Sequence, residues 1–456
     1  MKLIYGVNDR PKSGQMIVFA IQQLLAIMAA TIAVPAIVGN GMTAAPALFG
    51  AGVGTLVYQL FTKFKSPVFL GSSFAFIGSM VAAFAGATSA YLGFLGLILG
   101  AAFAGLVYVV LAIIIKLAGV NWINKLMPPA VIGSTVALIG LSLASASIND
   151  VFSYGAKDGN GAFIMGGAQW ASFACAMVTL VVVILCSVYG KKMTKLIPFI
   201  IGILSGYAFA LVLTVIGNAA GIDALKVIDF APFKALVAEG VGVKTFIDLP
   251  KFTFLDAIKG VGELTPSYLA TVAVAYVPVA FVVFAEHIAD NKNLSSIIEK
   301  DLLEEPGLHR TLLGDGIGSV AGAIFGGCPH TTYGESVGCV AITKNASVCS
   351  ITTTAIIAIL VSFIAPFVAL LDSIPGCVMG GVCITLYGFI AVSGLKMLQK
   401  VNLESNANLF TVASILIPGI GGMAMAIGKV TITNIACALI LGIIVNIIVS
   451  KAKDEQ

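Results

Sequence analysis

Residues 91–115 read YLGFLGLILGAAFAGLVYVVLAIII, a run of 25 positions without one charged side chain. A helix of about 20 apolar residues is long enough to cross the hydrocarbon core of a bilayer. The rest of the chain is similar, because 59% of its 456 residues are hydrophobic and only 10% are charged. Soluble domains carry about 25% charged residues. The sequence therefore predicts a polytopic membrane protein.

Fourteen stretches are predicted to span the membrane, two of them short or interrupted. Their approximate bounds are 15–38, 45–62, 66–87, 91–116, 128–148, 168–189, 194–216, 268–290, 311–327, 329–343, 346–370, 375–395, 407–424 and 430–450. Most of these stretches have the length that a helix needs to cross a bilayer. The predicted fold class is an all-α polytopic membrane protein with 14 transmembrane segments.

The lysines and arginines indicate how these segments are oriented. An even number of segments places both termini on one side, and that side then carries all but seven of the 25 Lys and Arg residues. The seven are Lys157, Lys226, Lys234, Lys244, Lys251, Lys259 and Lys429. Five of them lie in one long connection, 217–267, where charge has little influence on orientation. Both termini are therefore predicted to be cytoplasmic. The N-terminus lacks the apolar core of a cleavable signal peptide, so the first segment is predicted to be retained.

The connection at 217–267 divides the segments into two sets of seven, which is where an inverted repeat would divide. The third segment of each set is interrupted in a similar way. The two read SPVFLGSSFAF at 66–76 and GCPHTTYGESV at 327–337. In both, a proline precedes an extended-looking run that reaches a glycine followed by polar residues. Matched interruptions at corresponding positions indicate the binding site of a transporter.

Four carboxylates fall inside or at the ends of predicted segments: Glu286, Asp290, Asp315 and Glu335. A charge at the bilayer centre costs roughly 2.5–3.5 kcal/mol on insertion scales, so each needs a partner, a proton or a ligand. Glu286 and Glu335 are predicted to be functional. Asp290 is equally well interpreted as a cap at the membrane interface. Asp315 is interpreted first as a contact between two helices.

The three histidines lie in the same region, but structural roles are predicted for them. His287 follows Glu286 and points about 100° away from it on a helix. His309 is predicted to lie in a loop, and His330 to pack within the extended run before Gly334. In the first segment, Gln23 is interpreted as a possible helix–helix hydrogen bond.

The polar residues of the second interruption suit a neutral, planar ligand. A half-helix that begins near Gly334 has free backbone N–H groups in its first turn, and these can donate to carbonyl oxygens. Ionised Glu286 and Glu335 accept hydrogen bonds from N–H groups, and Phe74 offers an aromatic face. A ring such as uracil, with alternating N–H and C=O groups, matches these partners.

Other classes of protein lack support in the sequence. No nucleotide-binding loop, HExxH motif or paired metal-ligand spacing is present. The eight cysteines lie mostly in apolar stretches without CxxC spacing and are interpreted as small buried hydrophobes. The chain is therefore predicted not to be an enzyme, and neither a metal site nor a nucleic-acid partner is predicted.

Four stretches resemble the nucleobase–ascorbate transporter family, in its uracil permease branch. CPHTTYGES at 328–336 resembles a branch pattern close to PxTTYGEN, and FAEHIAD at 284–290 resembles AEHxGH. SPVFLGSSFAFI at 66–77 resembles PxYLGSSFAFI, and QQLLAIMAATIAVP at 22–35 resembles QHxxAMxGATxxVP. The resemblance extends over essentially the whole chain and is most specific in the third and tenth segments.

The resemblance implies two inverted repeats of seven segments, with short antiparallel strands in the broken segments 3 and 10. It implies a core domain of segments 1–4 and 8–11, at residues 1–120 and 268–371. A gate domain would contain segments 5–7 and 12–14, at residues 121–220 and 372–456, and 221–267 would form an extracellular connection. The core would carry the substrate past the gate by alternating access. The protein would reside in a bacterial cytoplasmic membrane, in contact with lipid, as a homodimer.

The resemblance also assigns roles to individual residues. Those implied to bind or surround the nucleobase are Glu286, Glu335, Phe74, Gly334, Tyr333, Ala30 and Tyr387. Transport would be coupled to protons, without another cofactor. The residues considered for this coupling are Glu286, Asp290, Gln23 and Asp315.

Two positions depart from the branch pattern, because Gln23 and Asp290 stand where it has histidine. Asp290 adds negative charge beside Glu286 and donates no hydrogen bond unless it is protonated. Import of uracil remains the first prediction, and a xanthine or purine permease of the same family is the alternative. An anion transporter of the same fold is disfavoured, because Glu335 stands where a positive charge is expected. A passive channel is a further alternative, and it would not need a proton gradient.

Overall fold

The computed structural model describes residues 3–119, 121–191, 193–427 and 430–453. This part of the chain is built almost entirely of helices, with two pairs of very short strands. Three lysines used to predict the orientation, Lys2, Lys192 and Lys429, lie outside the described residues.

The first half of the chain begins with two apolar helices separated by a short turn. Its elements are α1 (Ser13–Val38), α2 (Ala44–Phe61), β1 (Leu70–Ser72), a 3-10 turn (Phe74–Phe76), α3 (Ile77–Ala85), α4 (Ala90–Ala118), α5 (Asn121–Leu126), α6 (Pro129–Ser142), α7 (Ala144–Val151), α8 (Gly167–Tyr189), α9 (Met193–Leu196) and α10 (Pro198–Ala220). The Ser89 hydroxyl accepts the Leu92 N–H at 3.2 Å and so caps α4.

A connection that contains the short helices α11 (Ala231–Ala235), α12 (Val243–Phe246) and α13 (Thr253–Ala257) leads to the second half of the chain. The elements of the second half are α14 (Pro266–Ile298), α15 (Leu308–Gly326), β2 (His330–Thr332), α16 (Gly334–Thr343), α17 (Val348–Val361), α18 (Ala365–Asp372), α19 (Gly376–Leu398), α20 (Asn406–Ile420), β3 (Met425–Ile427), β4 (Val430–Ile432) and α21 (Asn434–Lys453). Helix α14 continues to Ile298, well beyond the predicted end at residue 290.

Eight helices of the described chain are long and apolar enough to cross a membrane. They are α1, α2, α4, α6 with α7, α8, α10, α14 and α19. Four shorter apolar helices, Phe74–Ala85, Val348–Val361, Asn406–Ile420 and Asn434–Ser450, coincide with four other predicted segments. The remaining two predicted segments, 311–327 and 329–343, fall on α15 and on β2 with α16. Length and composition thus assign eight crossings, and the count of fourteen stays a prediction.

The two interrupted segments meet as a pair of strands. β1 and β2 are antiparallel, with Leu70 opposite Thr332 and Ser72 opposite His330, which confirms the short antiparallel strands predicted for segments 3 and 10. Proline lacks an N–H and ends a helix, and Pro67 or Pro329 precedes each strand. All six strand residues are buried, so each strand supplies the hydrogen-bond partners that the other needs. A second strand pair, β3 with β4, was not expected from the sequence.

The helices pack in two groups. The first group contains α1, α2, α3, α4, α14, α15, α16 and α17, and the second contains α6, α7, α8, α10, α19, α20 and α21. Close packing within the first group depends on glycine. A Cβ at Gly54 of α2 would lie 2.8 Å from the carbonyl oxygen of Gly318 in α15. Small residues allow helix backbones to approach this closely.

The connection between α10 and α14 packs on the first group. Its Phe252 ring lies 4.7 Å from the ring of Phe49 in α2 and 5.4 Å from that of Phe325 in α15, measured between centroids. The Asp248 N–H donates to the Phe363 carbonyl at 3.0 Å. These contacts attach the second part of the connection to the group that contains the paired strands.

Candidate functional site

A cavity of about 370 Å³ lies between the two groups of helices. Its lining residues are Phe74, Val136, Phe199, Glu286, Ala289, Asp290, Gly334, Glu335, Leu386, Phe389, Ile390, Ser393 and Met397. An adjoining recess of about 60 Å³ extends to the paired strands and is also lined by Ser73, Ala75, Ile139 and residues 331–333. The larger volume is within the range of about 300–1,000 Å³ typical of small-molecule sites.

Both half-helices begin at this cavity. One residue separates Phe74 from β1 and one separates Gly334 from β2, and both Phe74 and Gly334 line the cavity wall. The first N–H groups of a helix have no partner within the helix. Gly334 has no side chain and is exposed, so a ligand can approach the backbone at the start of α16. The interruption of two segments therefore creates polar backbone inside an otherwise apolar wall.

Three carboxylates line the cavity, those of Glu286, Asp290 and Glu335, and each is partly exposed. Glu286 and Asp290 are four residues apart in α14, which places them on one face of that helix. No Lys, Arg or His is among the described lining residues. The cavity lining therefore presents carboxylate oxygens as hydrogen-bond acceptors. Within the described residues, no group of His, Cys, Asp and Glu side chains is arranged to hold a metal ion.

Asp290 is tied to the strand pair. The hydroxyl of Thr332 in β2 donates to Oδ2 of Asp290 at 3.0 Å. Oδ1 of Asp290 lies on the side of Gly334, 3.9 Å from where a Cβ of that residue would be. The structure therefore places Asp290 in the cavity wall with a specific partner, which an interfacial cap would not need.

Asp315 lies away from the cavity, in a buried polar cluster. Its Oδ2 is 2.9 Å from Nδ1 of His287, and both side chains are fully buried. Nε2 of His287 lies 3.0 Å from Thr311 Oγ1 and 3.1 Å from the Asn291 amide nitrogen. The cluster joins α14 to α15 behind the site.

Gln23 also lies behind the cavity wall. It is buried, and its amide nitrogen donates to the Ser336 hydroxyl. The Ser336 oxygen in turn accepts the Phe69 N–H at 2.9 Å. Through Ser336, Gln23 therefore connects α1 to the first turn of α16, one residue after Glu335. The same link reaches Phe69, which precedes β1.

Tyr333 lines only the small recess. Its hydroxyl donates to the Ser72 carbonyl at 2.6 Å, and its ring covers Gly71. A side chain at residue 71 would collide with that ring, so glycine is required at this position of the strand pair. Tyr333 thereby fixes the strand pair at the floor of the site.

Two further residues implied by the resemblance are not in the lining. Ala30 is 1% exposed and packs in the cluster that contains Tyr333 and Phe69. Tyr387 is 2% exposed, and its ring meets the edge of the Phe74 ring at 5.9 Å between centroids. Both residues support side chains of the wall instead of facing the cavity.

The structure also adds lining residues that the sequence analysis missed. The apolar wall opposite the carboxylates consists of Val136, Phe199, Leu386, Phe389 and Ile390. These residues come from three helices far apart in the chain and have no feature that separates them from other apolar positions. Thr332 was within the quoted motif CPHTTYGES, but its partner Asp290 was not predictable from spacing.

Comparison with known proteins identifies the family. The model of a family described as the permease family, Xan_ur_permease, matches residues 14–428. The chain is a member of this permease family. The membership confirms the resemblance drawn from the four motifs, and it makes the chain a permease and not an enzyme.

Several curated relatives of this permease match along almost their full length. The uracil permease of Bacillus subtilis (strain 168) is 38% identical, covering 100% of this chain and 97% of the relative. That of Bacillus caldolyticus is 38% identical over 98% and 95%. The uracil permease of Escherichia coli (strain K12) is 33% identical over 99% and 96%.

Solved structures support the fold of this permease. The transmembrane domain of a cyanobacterium bicarbonate transporter, BicA, has a TM-score of 0.64 at 15% identity and covers 97% of this chain and 99% of that one. SLC26A9 has a TM-score of 0.64 at 10% identity, covering 97% of this chain and 66% of that one. At these identities the likeness concerns the fold alone.

Proposed function

We propose that this permease imports uracil by proton symport through alternating access. The observation that carries the proposal is that Glu286 and Glu335, from two different helices, line one cavity beside an interrupted backbone. The uracil permeases among the relatives support the choice of substrate.

The cavity chemistry suits uracil. The carboxylates of Glu286 and Glu335 accept hydrogen bonds from ring N–H groups, and the free N–H groups at the start of α16 donate to ring carbonyls. Phe74, Phe199 and Phe389 supply aromatic surface for the ring faces. Anionic substrates are disfavoured, because the described lining contains no cationic side chain to offset three carboxylates.

Proton coupling follows from the cost of these carboxylates. A cavity with Glu286, Asp290 and Glu335 all ionised concentrates three negative charges inside a membrane, where each charge is expensive. Uptake of a proton with the neutral substrate lowers that cost, and release of the proton on the other side returns the site to its starting state. Proton symport needs no further cofactor.

The two groups of helices are the proposed core and gate. The core comprises residues 1–120 and 268–371, the gate comprises 121–220 and 372–456, and 221–267 forms the extracellular connection. Together they would make fourteen crossings in two inverted repeats of seven. Because the cavity lies between the groups, a movement of one past the other changes which side it opens to. A homodimer surrounded by lipid in a bacterial cytoplasmic membrane, with both termini cytoplasmic, completes the proposal.

The open end of the cavity is consistent with a cytoplasm-facing state. Ser393 and Met397 line the cavity in the last turns of α19, and Ser393 is exposed. Lys396 and Lys400 lie beside this end, which the distribution of positive charge assigns to the cytoplasm.

Uptake of radiolabelled uracil into proteoliposomes tests the function. An inward proton gradient should drive accumulation above the external concentration, and an uncoupler should abolish it. A sodium gradient at equal pH serves as the matched control for the coupling ion. Accumulation driven only by sodium would reject proton symport, and equilibration without accumulation under either gradient would indicate a channel.

A purine permease is the second candidate, and Asp290 is the observation that favours it. Its carboxylate adds one acceptor to the cavity wall, which a purine with a further N–H group can use. Competition of uracil uptake by unlabelled bases separates the two. Xanthine uptake without uracil uptake would overturn the first proposal in favour of the second.

A further inference from the structure

The N-terminal strap, residues 3–9, runs alongside residues 344–348, which join α16 to α17. Its backbone hydrogen bonds run from Ile4 N–H to the Lys344 carbonyl at 2.8 Å, from Ala346 N–H to the Tyr5 carbonyl at 2.9 Å, and from Val348 N–H to the Val7 carbonyl at 3.1 Å. The Ser347 hydroxyl donates to the Asp9 carbonyl at 2.6 Å. The strap is therefore attached along its length to the turn that ends α16.

Val7 is the residue by which the strap enters the protein interior. Its side chain is 6% exposed and belongs to a hydrophobic cluster with Val337 and Val340 of α16. The same cluster contains Leu70 of β1 and Leu294 of α14. Three elements of the candidate site, β1, α14 and α16, thus share one apolar core with the N-terminal strap.

Helix α16 has particular need of such support. It contains ten residues and is about 15 Å long, and the three-residue strand β2 precedes it. Glu335 is the second residue of this helix, and Val337 and Val340 are its fourth and seventh residues. Because a short helix moves as a rigid rod, a change at its far end also moves the end that carries Glu335.

We propose that the N-terminal strap positions the binding site, with Val7 and the strap's backbone hydrogen bonds holding α16 so that Glu335 faces the cavity. Residues 3–9 are not among the residues that line the cavity or its recess, so Val7 is a positioning residue. The proposal rests on the proposed function only for the choice of uracil as the probe.

The chain offers a matched control inside the strap. Ile4 has a β-branched apolar side chain like Val7, but it is 61% exposed. Val183, 1% exposed in the second group of helices, provides a buried control away from the strap. The test compares Val7→Ser with Ile4→Ser, Val183→Ser and the conservative variant Val7→Ile, all in the full chain.

Two measurements decide the proposal. Amide hydrogen exchange of residues 334–343, without ligand, should be faster in Val7→Ser and unchanged in Ile4→Ser and Val183→Ser. The Kd for uracil should rise by about tenfold in Val7→Ser, a size typical of mutations that act on a site indirectly, with KM rising more than the maximal rate falls. Val7→Ile should keep both the exchange rate and the Kd close to those of the wild type.

Equal exchange in Val7→Ser and Ile4→Ser, or equal weakening of uracil binding by Val183→Ser, would overturn the proposal. If Val7→Ser does not fold, Ser347→Ala removes only the hydrogen bond to Asp9 and is expected to give the same two changes at smaller size. A wild-type protein that does not bind uracil would reject the proposed substrate, while the exchange measurement would still decide whether the strap holds α16.

Discussion

The Thr332 hydroxyl donates to the Asp290 carboxylate at 3.0 Å, across the junction of β2 and α14. The bond joins a residue of the interrupted segment to the helix that also carries Glu286. It holds one oxygen of Asp290 and leaves the other near the start of α16. The bond therefore orients the Asp290 carboxylate within the cavity wall.

Asp290→Asn removes a negative charge from the cavity but keeps an acceptor for Thr332. We expect the pH dependence of uracil uptake to change, because one of three neighbouring acids no longer titrates. Thr332→Val removes the donor at similar size, and we expect it to lower the free energy of unfolding by about 1 kcal/mol, as for a single hydrogen bond. An unchanged pH profile in Asp290→Asn would return Asp290 to a purely structural role.

Glu335→Gln preserves size but removes the anionic acceptor at the start of α16. We expect uracil to bind about ten- to a hundredfold more weakly, since hydrogen bonds to charged groups contribute about 1.5–3 kcal/mol. Titration calorimetry on purified protein measures the change. Glu304→Gln, at an exposed glutamate, is the control and should bind like the wild type. Wild-type affinity in Glu335→Gln would exclude a direct contact with the ligand.

His287→Leu leaves Asp315 buried without its partner. A buried polar group left without a partner costs about 1–3 kcal/mol, and more when it is charged, so we expect a loss of thermal stability in detergent. The double variant His287→Leu with Asp315→Leu should recover part of that loss, because no buried acid remains. A double variant less stable than either single variant would show that the cluster is stabilised by other partners, such as Thr311.

Gly71→Ala places a methyl group against the ring of Tyr333. Overpacking of this kind costs about 1–3 kcal/mol, and we expect lower thermal stability and weaker binding because the strand pair shifts. Adding Tyr333→Leu should make the Gly71→Ala change less costly than it is in the wild type. Gly338→Ala is the control, since nothing lies within 4 Å of its added Cβ, and a helical glycine-to-alanine change should stabilise by up to about 1 kcal/mol.

Glu263 provides a test of pH dependence outside the membrane segments. Hydrogen bonds from Thr88 at 2.6 Å and Ser89 at 2.8 Å lower the pKa of its carboxyl below the ordinary 4.5. Because the pKa of Glu263 is lower in the folded state than in the unfolded chain, the ionised carboxylate stabilises the fold at pH values above its ordinary pKa. This contribution is lost as the pH falls through the lowered pKa. Glu263→Gln should therefore melt earlier than the wild type at pH 7, and the difference should vanish at acid pH. A constant difference would contradict the electrostatic origin.

Local patterns predicted much of the architecture. The strand pair followed from Pro67 and Pro329, because proline cannot continue a helix and the two interruptions occupy corresponding positions. The prediction that Glu286 and Glu335 are functional rested on the cost of a carboxylate in an apolar stretch, and the structure places both in the lining of one cavity. The role of Asp290 could not be decided in this way, because a residue near a helix end can serve as a cap or line a cavity without any change in local sequence.

By itself, the sequence determined the membrane class and the approximate positions of the apolar helices, since these depend on composition over about 20 neighbouring residues. It also determined the two breaks, since each depends on a proline that cannot continue a helix. Only the tertiary structure decided which polar groups share a cavity. It placed Asp290 beside Thr332 and turned Asp315 toward His287, and it left Ala30 behind the wall. These outcomes depend on the rotation of each helix against partners distant in the chain, and the geometry of that packing is not contained in any local pattern.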